Sequence, residues 1–186
     1  MGRWQPDAQG RLEEAAMELF DERGFEDTTV ADIAERAGLT KRTFFRYFAD
    51  KREVLFSGTV LLEETLVKGI LGAPADAPPL DAIAAGLDAA AVVLEEARDR
   101  AGRRQAILAA NPELRERELI KLTRLAAAGA EALRRRGVEE PAAGLAAEAG
   151  MAVMRVSFDR WAKKPRSQDL RKLLRDSLAE LRSIAG

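Results

Sequence analysis

The sequence predicts an all-α protein of about nine helices. Ala, Leu, Glu and Arg dominate almost every segment, and these residues are strong helix formers. Apolar residues recur at the i, i+3, i+4 spacing that places them on one face of a helix. Residues typical of helix caps and breaks separate these stretches, so the chain divides into helices joined by short turns.

Residues 1–50 are predicted to form a first domain of three helices. The helices are expected at residues 8–23, 30–37 and 40–48. Asp7 and Thr29 are good N-cap residues for the first two helices. Gly24 and Gly38 suit the turns that end them, because glycine tolerates a positive φ.

Residues 51–186 are predicted to form a second domain of longer helices. A fourth helix is expected to begin at the capping pair Asp50 and Glu53 and to end near residue 71. Residues 72–79, GAPADAPP, form a linker. The remaining helices are expected at residues 80–100, 104–110, 112–136, 141–164 and 167–184, with a break at Gly102 and with Ser167 as the last cap.

Composition excludes several kinds of chemistry. The chain has no cysteine and no histidine, which removes disulfides, thiol nucleophiles, histidine acid–base catalysis and zinc sites built on these residues. Carboxylates alternate with arginines at helical spacing, as in solvated surface pairs. We therefore expect neither an enzyme nor a bound metal or cofactor. No segment is apolar enough to span a membrane or to act as a signal peptide, so a cytoplasmic location is expected.

Residues 29–48 have the pattern of a helix–turn–helix, with two short helices joined by a turn that contains glycine. Positive charge is concentrated here, although the net charge of the chain is −1. Five cations and one acid lie between Leu39 and Arg52, whereas four cations and ten acids lie between Arg3 and Leu39. A local basic patch of this kind suits phosphate neutralisation and entry into a DNA groove.

Three adjoining segments carry a resemblance to a known family. They are TVADIAERAG (29–38), LTKRTFFRYF (39–48) and KREVL (51–55). In these segments the sequence is similar to the TetR family of transcriptional regulators. The resemblance implies a three-helix DNA-binding domain, followed by a domain that binds a ligand and forms a dimer.

The resemblance also implies which residues contact double-stranded DNA. Thr29, Thr40, Thr43, Tyr47 and Lys51 match positions that usually contact phosphates or the groove, Lys41 and Arg42 match positions that commonly contact base edges, and Arg46 is expected to be exposed beside them. Arg42 stands where the family often has glycine, and it adds a reader of guanine. Phe45 stands where tyrosine is common and lacks its hydroxyl. We expect Phe44, Phe45 and Phe48 to lie in the core.

A cluster on the predicted helix at residues 141–164 suggests an effector site. Its members are Met151, Met154, Arg155, Phe158 and Trp161. Methionine and aromatic side chains suit the wall of a pocket for an apolar small molecule. The same pattern is also expected of ordinary core, with Arg155 and Asp159 as a surface ion pair.

The last predicted helix carries a long apolar stripe. It consists of Leu170, Leu173, Leu174, Leu178, Leu181 and Ile184. We expect a homodimer joined through the last two helices, residues 141–163 and 167–184, in a four-helix bundle. The alternative is that the stripe packs only within its own chain.

The leading hypothesis is therefore a ligand-responsive transcriptional regulator, and specifically a repressor. It would bind palindromic operator DNA as a dimer and leave it when a mostly apolar effector binds. The helix at residues 50–71 would couple the two domains. The alternative is a helical adaptor whose basic helix binds an acidic protein partner.

Overall fold

The computed structural model describes residues 8–163 and 168–185, and within these residues it is all-α. The nine α-helices of this part of the chain are α1 (Ala8–Arg23), α2 (Val30–Arg36), α3 (Lys41–Tyr47), α4 (Thr59–Leu71), α5 (Pro79–Glu96), α6 (Arg98–Ala110), α7 (Pro112–Arg135), α8 (Ala142–Lys163) and α9 (Leu170–Ala185). The predicted fold class is confirmed. The predicted caps Asp7 and Ser167 lie outside the described residues.

Two helix boundaries differ from the prediction. The segment after α3 is a 3₁₀ turn, Glu53–Phe56, and α4 begins only at Thr59. The Asp50 carboxylate accepts the Glu53 N–H at 3.0 Å, but the turn then buries three consecutive apolar side chains, which one face of an α-helix cannot do. The other difference is at Gly102, which lies inside α6; the break between helices falls instead at Ala97.

The described residues form two units. The first contains the residues up to Gly58 together with Arg103–Leu114, and the second contains Thr59–Gly102 together with the residues from Arg115 onward. The division of the chain at residue 50 stays a prediction.

In the first unit, α1, α2 and α3 surround an apolar core. Its fully buried members include Leu12, Ile33 and Phe44, one from each helix. At the surface, Arg36 of α2 donates to Glu22 at 2.7 Å and to Glu18 at 3.1 Å, so that α2 is tied to α1 by charge as well as by apolar contact. The core holds α3 by one face and leaves the opposite face outside.

In the second unit, glycines allow helices to approach one another closely where they cross. A Cβ on Gly86 of α5 would lie 2.6 Å from Ile70 Cγ1 and 2.7 Å from the Leu66 carbonyl oxygen of α4. A Cβ on Gly150 of α8 would lie 2.3 Å from Ile83 Cγ2 of α5. These distances leave no room for a side chain, so the two crossings require glycine.

The apolar stripe of α9 packs mostly within its own chain. Leu170, Leu173, Leu174 and Leu178 are buried in the core of the second unit. Leu181 is partly buried against the same core, and Ile184 is 76% exposed. The structure therefore supports the alternative reading for the four leucines, because they cover α5 and α8 and are not left for a second copy.

We predict that Gly86→Ala lowers the free energy of unfolding by about 1–3 kcal/mol, because the new methyl group meets the Leu66 backbone. Gly102→Ala is the matched control. It also lies inside a helix, but a Cβ there meets nothing within 4 Å. We expect it to stabilise the protein by about 0.5–1 kcal/mol. Urea unfolding of both variants checks this, and equal effects would contradict the tight crossing.

Candidate DNA-binding site

Thr29 begins α2 with a complete capping box. The Asp32 N–H donates to Thr29 Oγ1 at 3.2 Å, and the Thr29 N–H donates to Asp32 Oδ2 at 2.9 Å. The Thr29 hydroxyl also donates to Asp32 Oδ2 at 2.7 Å. The two bonds that the Asp32 carboxylate accepts from Thr29 are the main reason that the pKa of Asp32 is lowered, with smaller contributions from Arg23 and Lys41.

The turn between α2 and α3 requires its glycine. Gly38 has a φ of +63°, in the left-handed region that side chains disfavour. The Leu39 N–H donates to the Ala34 carbonyl at 2.8 Å and closes the turn. Arg11 of α1 donates to the carbonyl of Ala37, so the turn is also held from outside. The role of Arg11 was not predicted from the sequence, because its partner lies 26 residues away and no local pattern joins them.

α3 is capped at its start and anchored by its inner face. Thr40 Oγ1 accepts the Thr43 N–H at 3.1 Å, and the two hydroxyl oxygens lie 3.0 Å apart. Phe44 and Phe48 are buried, and their ring centroids lie 5.4 Å apart. The helix is therefore fixed in rotation about its own axis, which decides which side chains point outward.

The outward face of α3 carries the predicted DNA-binding cations. Lys41, Arg42 and Arg46 are all exposed. Arg46 donates to the Tyr47 hydroxyl at 3.0 Å, and its guanidinium lies 4.9 Å from the centre of that ring. Within the described part of the chain, Lys41 and Arg42 form no hydrogen bond or salt bridge. Their charge is available to an external partner.

Phe45 does not lie in the core, contrary to the prediction for the three phenylalanines. Its side chain is 56% exposed, and its ring lies nearly perpendicular to the Phe44 ring at a centroid distance of 5.6 Å. The cause is the length of the helix turn. Phe44 and Phe48 are four residues apart and share the inner face, whereas Phe45 is rotated by about 100° from Phe44.

Lys51 is half-buried, and its ammonium faces its own domain. It donates to three backbone carbonyls in the loop before α2, those of Phe25, Glu26 and Thr28. The other predicted contacts divide between two places. Thr29 lies at the start of α2, and the six residues predicted from Thr40 to Tyr47 lie on or cap α3.

The predicted effector residues lie on α8 in three different environments. Met151, Met154 and Trp161 are buried, Phe158 is partly buried and Arg155 is exposed. The Trp161 indole N–H donates to the Glu95 carboxylate at 2.9 Å, and the same oxygen accepts the Leu170 N–H at 2.6 Å. The role of Glu95 was not predicted from the sequence, because a carboxylate in an amphipathic helix has the pattern of a surface residue.

Comparisons with known proteins agree with this geometry. The family model for the bacterial regulatory proteins of the tetR family matches residues 12–57, and the model for the MftR C-terminal domain matches residues 77–185. The chain belongs to the TetR family. The helix–turn–helix at residues 29–48 lies inside the region that the tetR-family model matches, as the resemblance in the sequence implied.

Among curated relatives, TcmR of Streptomyces glaucescens is 39% identical over 84 residues, which are 45% of this chain and 36% of TcmR. MftR of Mycobacterium tuberculosis is 41% identical over 54 residues, which are 29% of this chain and 27% of MftR. The matches thus span about a third of TcmR and about a quarter of MftR.

Solved TetR-family structures match nearly the whole chain. FadR of Thermus thermophilus, in complex with lauroyl-CoA, is 26% identical with a TM-score of 0.58 and covers 93% of this chain and 92% of FadR. A regulator from Syntrophomonas wolfei shares the fold at 15% identity, with a TM-score of 0.69 and coverage of 96% and 94%. In the described residues of this TetR-family chain, no helix combines the length and the hydropathy needed to cross a membrane.

We predict that Thr29→Ala lowers the free energy of unfolding by about 1 kcal/mol at neutral pH, because α2 loses its cap. Thr29→Ser keeps the hydroxyl and should keep the stability. Thr29→Ala should also raise the pKa of Asp32 toward its ordinary value, which an NMR titration measures.

The pH dependence has a definite sign. A carboxylate whose pKa is lowered in the folded state stabilises the fold above its unfolded pKa, and this contribution is lost as the pH falls through the folded value. The wild type should therefore lose more stability than Thr29→Ala on acidification below the ordinary pKa of 3.8 for aspartate. Parallel acid unfolding curves would contradict the capping box.

Proposed function

We propose that this TetR-family regulator is a repressor that binds a palindromic operator as a homodimer and is released by a small, mostly apolar effector. The observation that carries the proposal is the outward face of α3, where Lys41, Arg42 and Arg46 are exposed on a helix whose opposite face is anchored in the core. Exposed cations on a rigid helix suit the major groove.

Two kinds of DNA contact are assigned to this surface. Arg42 and Lys41 are proposed to contact base edges, and the Arg42 guanidinium can pair with O6 and N7 of guanine. Thr29, Thr40, Thr43, Arg46 and Tyr47 are proposed to contact phosphates or sugars.

The size of the reading helix supports a homodimer. α3 has seven residues, so one copy contacts only a few base pairs. Two copies related by a two-fold axis would read half-sites about 34–36 Å apart, or a multiple of this distance. A palindromic operator mirrors that symmetry.

The interface is proposed on exposed apolar residues of the last two helices, α8 and α9. Leu145 and Val156 of α8 are 67% and 50% exposed, and Ala152 between them is also exposed. The three residues follow one another at intervals that keep them on one side of the helix. With Ile184 of α9 they replace the buried leucines as the expected contact surface, because those leucines already cover their own core.

The effector site is proposed around Met151, Met154, Phe158 and Trp161 of α8, with Arg155 at the surface. Apolar walls favour an apolar ligand. The Thermus thermophilus FadR complex supports an acyl chain as one such group, since that regulator holds lauroyl-CoA. A ligand that moved Trp161 would break its bond to Glu95, and Glu95 also holds the first turn of α9. Lauroyl-CoA is therefore the first probe for release of the operator.

We predict that Arg42→Ala lowers operator affinity by about 1–3 kcal/mol and relaxes specificity at one base pair, because one base-reading side chain is removed. Lys68→Ala is the control, as Lys68 is an exposed cation of α4 in the other unit. Selection of duplexes from a random-sequence library, followed by titration of the selected duplex, measures both effects. A wild-type protein that selects no preferred sequence at moderate salt would refute the proposed function.

We predict that Leu145→Glu combined with Val156→Glu converts the dimer into a monomer that remains helical, because two charges are placed in an apolar contact. Leu119→Glu combined with Ile120→Glu is the matched control, since both residues are similarly exposed on α7. Analytical ultracentrifugation distinguishes the species. A monomeric wild type, or a dimer unaffected by the first pair, would overturn this interface. Leu174→Glu and Leu178→Glu are unsuitable tests, since both leucines are buried.

A further inference from the structure

Lys51 has its donor capacity filled by its own domain. Its Nζ lies 2.6 Å from the Phe25 carbonyl oxygen, 3.0 Å from that of Glu26 and 3.0 Å from that of Thr28. The same nitrogen lies 4.4 Å from the centre of the buried Phe25 ring. A lysine ammonium has three N–H donors, so the three carbonyls account for all of them.

These carbonyls belong to the loop that joins α1 to α2. The loop begins at Gly24, whose φ is +87°, and the buried Thr28 donates its hydroxyl to the Gly24 carbonyl at 2.8 Å. It ends at Thr29, the cap of α2. The ammonium lies where the three carbonyls converge, in the loop that leads into α2.

The cations of α3 have a different environment. Lys41 and Arg42 are exposed and have no hydrogen-bonded partner among the described residues. A phosphate can approach them without breaking a bond in the protein. A phosphate could bond to Lys51 Nζ only by replacing one of its three carbonyls.

We propose that Lys51 is a positioning residue, which acts on DNA through the loop at residues 24–29 and the cap Thr29, and not through contact with a phosphate. The proposal rests on operator binding as described above. The contacts on which it depends lie within the first unit and do not depend on the operator sequence.

The salt dependence of DNA binding separates the two roles. The logarithm of the affinity falls linearly with the logarithm of the salt concentration, and each phosphate contact adds about 0.9 to the magnitude of that slope. A lower slope means a smaller magnitude. Loss of a positioning residue lowers the affinity at every salt concentration and leaves the slope unchanged. We expect Lys51→Met to lose affinity about tenfold, the equivalent of one charge-assisted hydrogen bond, with the wild-type slope.

The conservative variant gives a second criterion. Arginine keeps the charge but presents its donors in a planar fork, which cannot direct three N–H groups at carbonyls that converge on one point. Lys51→Arg should therefore bind as weakly as Lys51→Met. If Lys51 contacted a phosphate, arginine would restore the affinity. Lys41→Met is the control for a cation that faces DNA, and it should lower the slope by about 0.9.

The experiment titrates these variants with the duplex that the wild type selects from a random-sequence library, over a range of salt concentrations. Weak binding by both Lys51 variants with an unchanged slope supports the positioning role. A lower slope for Lys51→Met together with full rescue by Lys51→Arg would overturn it. If Lys51→Met does not fold, Lys51→Arg alone distinguishes the two roles. Weakened binding by Lys51→Arg supports the positioning role, and wild-type affinity overturns it.

Amide hydrogen exchange keeps this proposal separate from the proposed function. Without the ammonium as a bridge, the amides of residues 25–29 should exchange faster in Lys51→Arg, while those of α7 keep the wild-type rate. If the wild type selects no duplex, the operator hypothesis fails and exchange decides the role of Lys51. Unchanged exchange at residues 25–29 would then refute the loop contact.

Discussion

Basic side chains that donate to backbone carbonyls hold the irregular segments of this protein, and the placement of its helices depends on them. Arg11 holds the turn before α3, and Lys51 holds the loop before α2. In the second unit, Arg136 holds the linker at Ala73, and Arg98 holds Gln168 just before α9. Carbonyls in a turn lack the N–H partners that a helix provides, and one cationic side chain can donate hydrogen bonds to several of them at once.

This use of cations limits what charge counting can show. The sequence contains a basic patch from Leu39 to Arg52, and three of its cations are exposed on α3. The members of the patch nevertheless have different environments. Arg42 is exposed on α3, whereas Lys51 faces carbonyls 23 to 26 residues earlier in the chain. Local spacing predicts which face a side chain occupies on its own helix, but it carries no information about such distant partners.

Helix caps and turn glycines were predictable because their chemistry is local. Thr29 and Thr40 accept backbone N–H groups a few residues away, and Gly38 takes a positive φ at its own position, so the pattern and the structure agree. The stripe of α9 shows the opposite case. Its leucines reveal that a face is buried, but the same spacing serves an intrachain core and an interface between copies. Only the position of α5 and α8 distinguished the two for Leu174.

The glycine crossings of the second unit also restrict how it can move. Where backbones touch, as at Gly69 and Gly86, neighbouring turns interlock, and no side chain is present whose rotamers could absorb a displacement. Sliding of α5 along α4 would drive Ile70 into the opposing turn. We therefore expect α4 and α5 to move as one body.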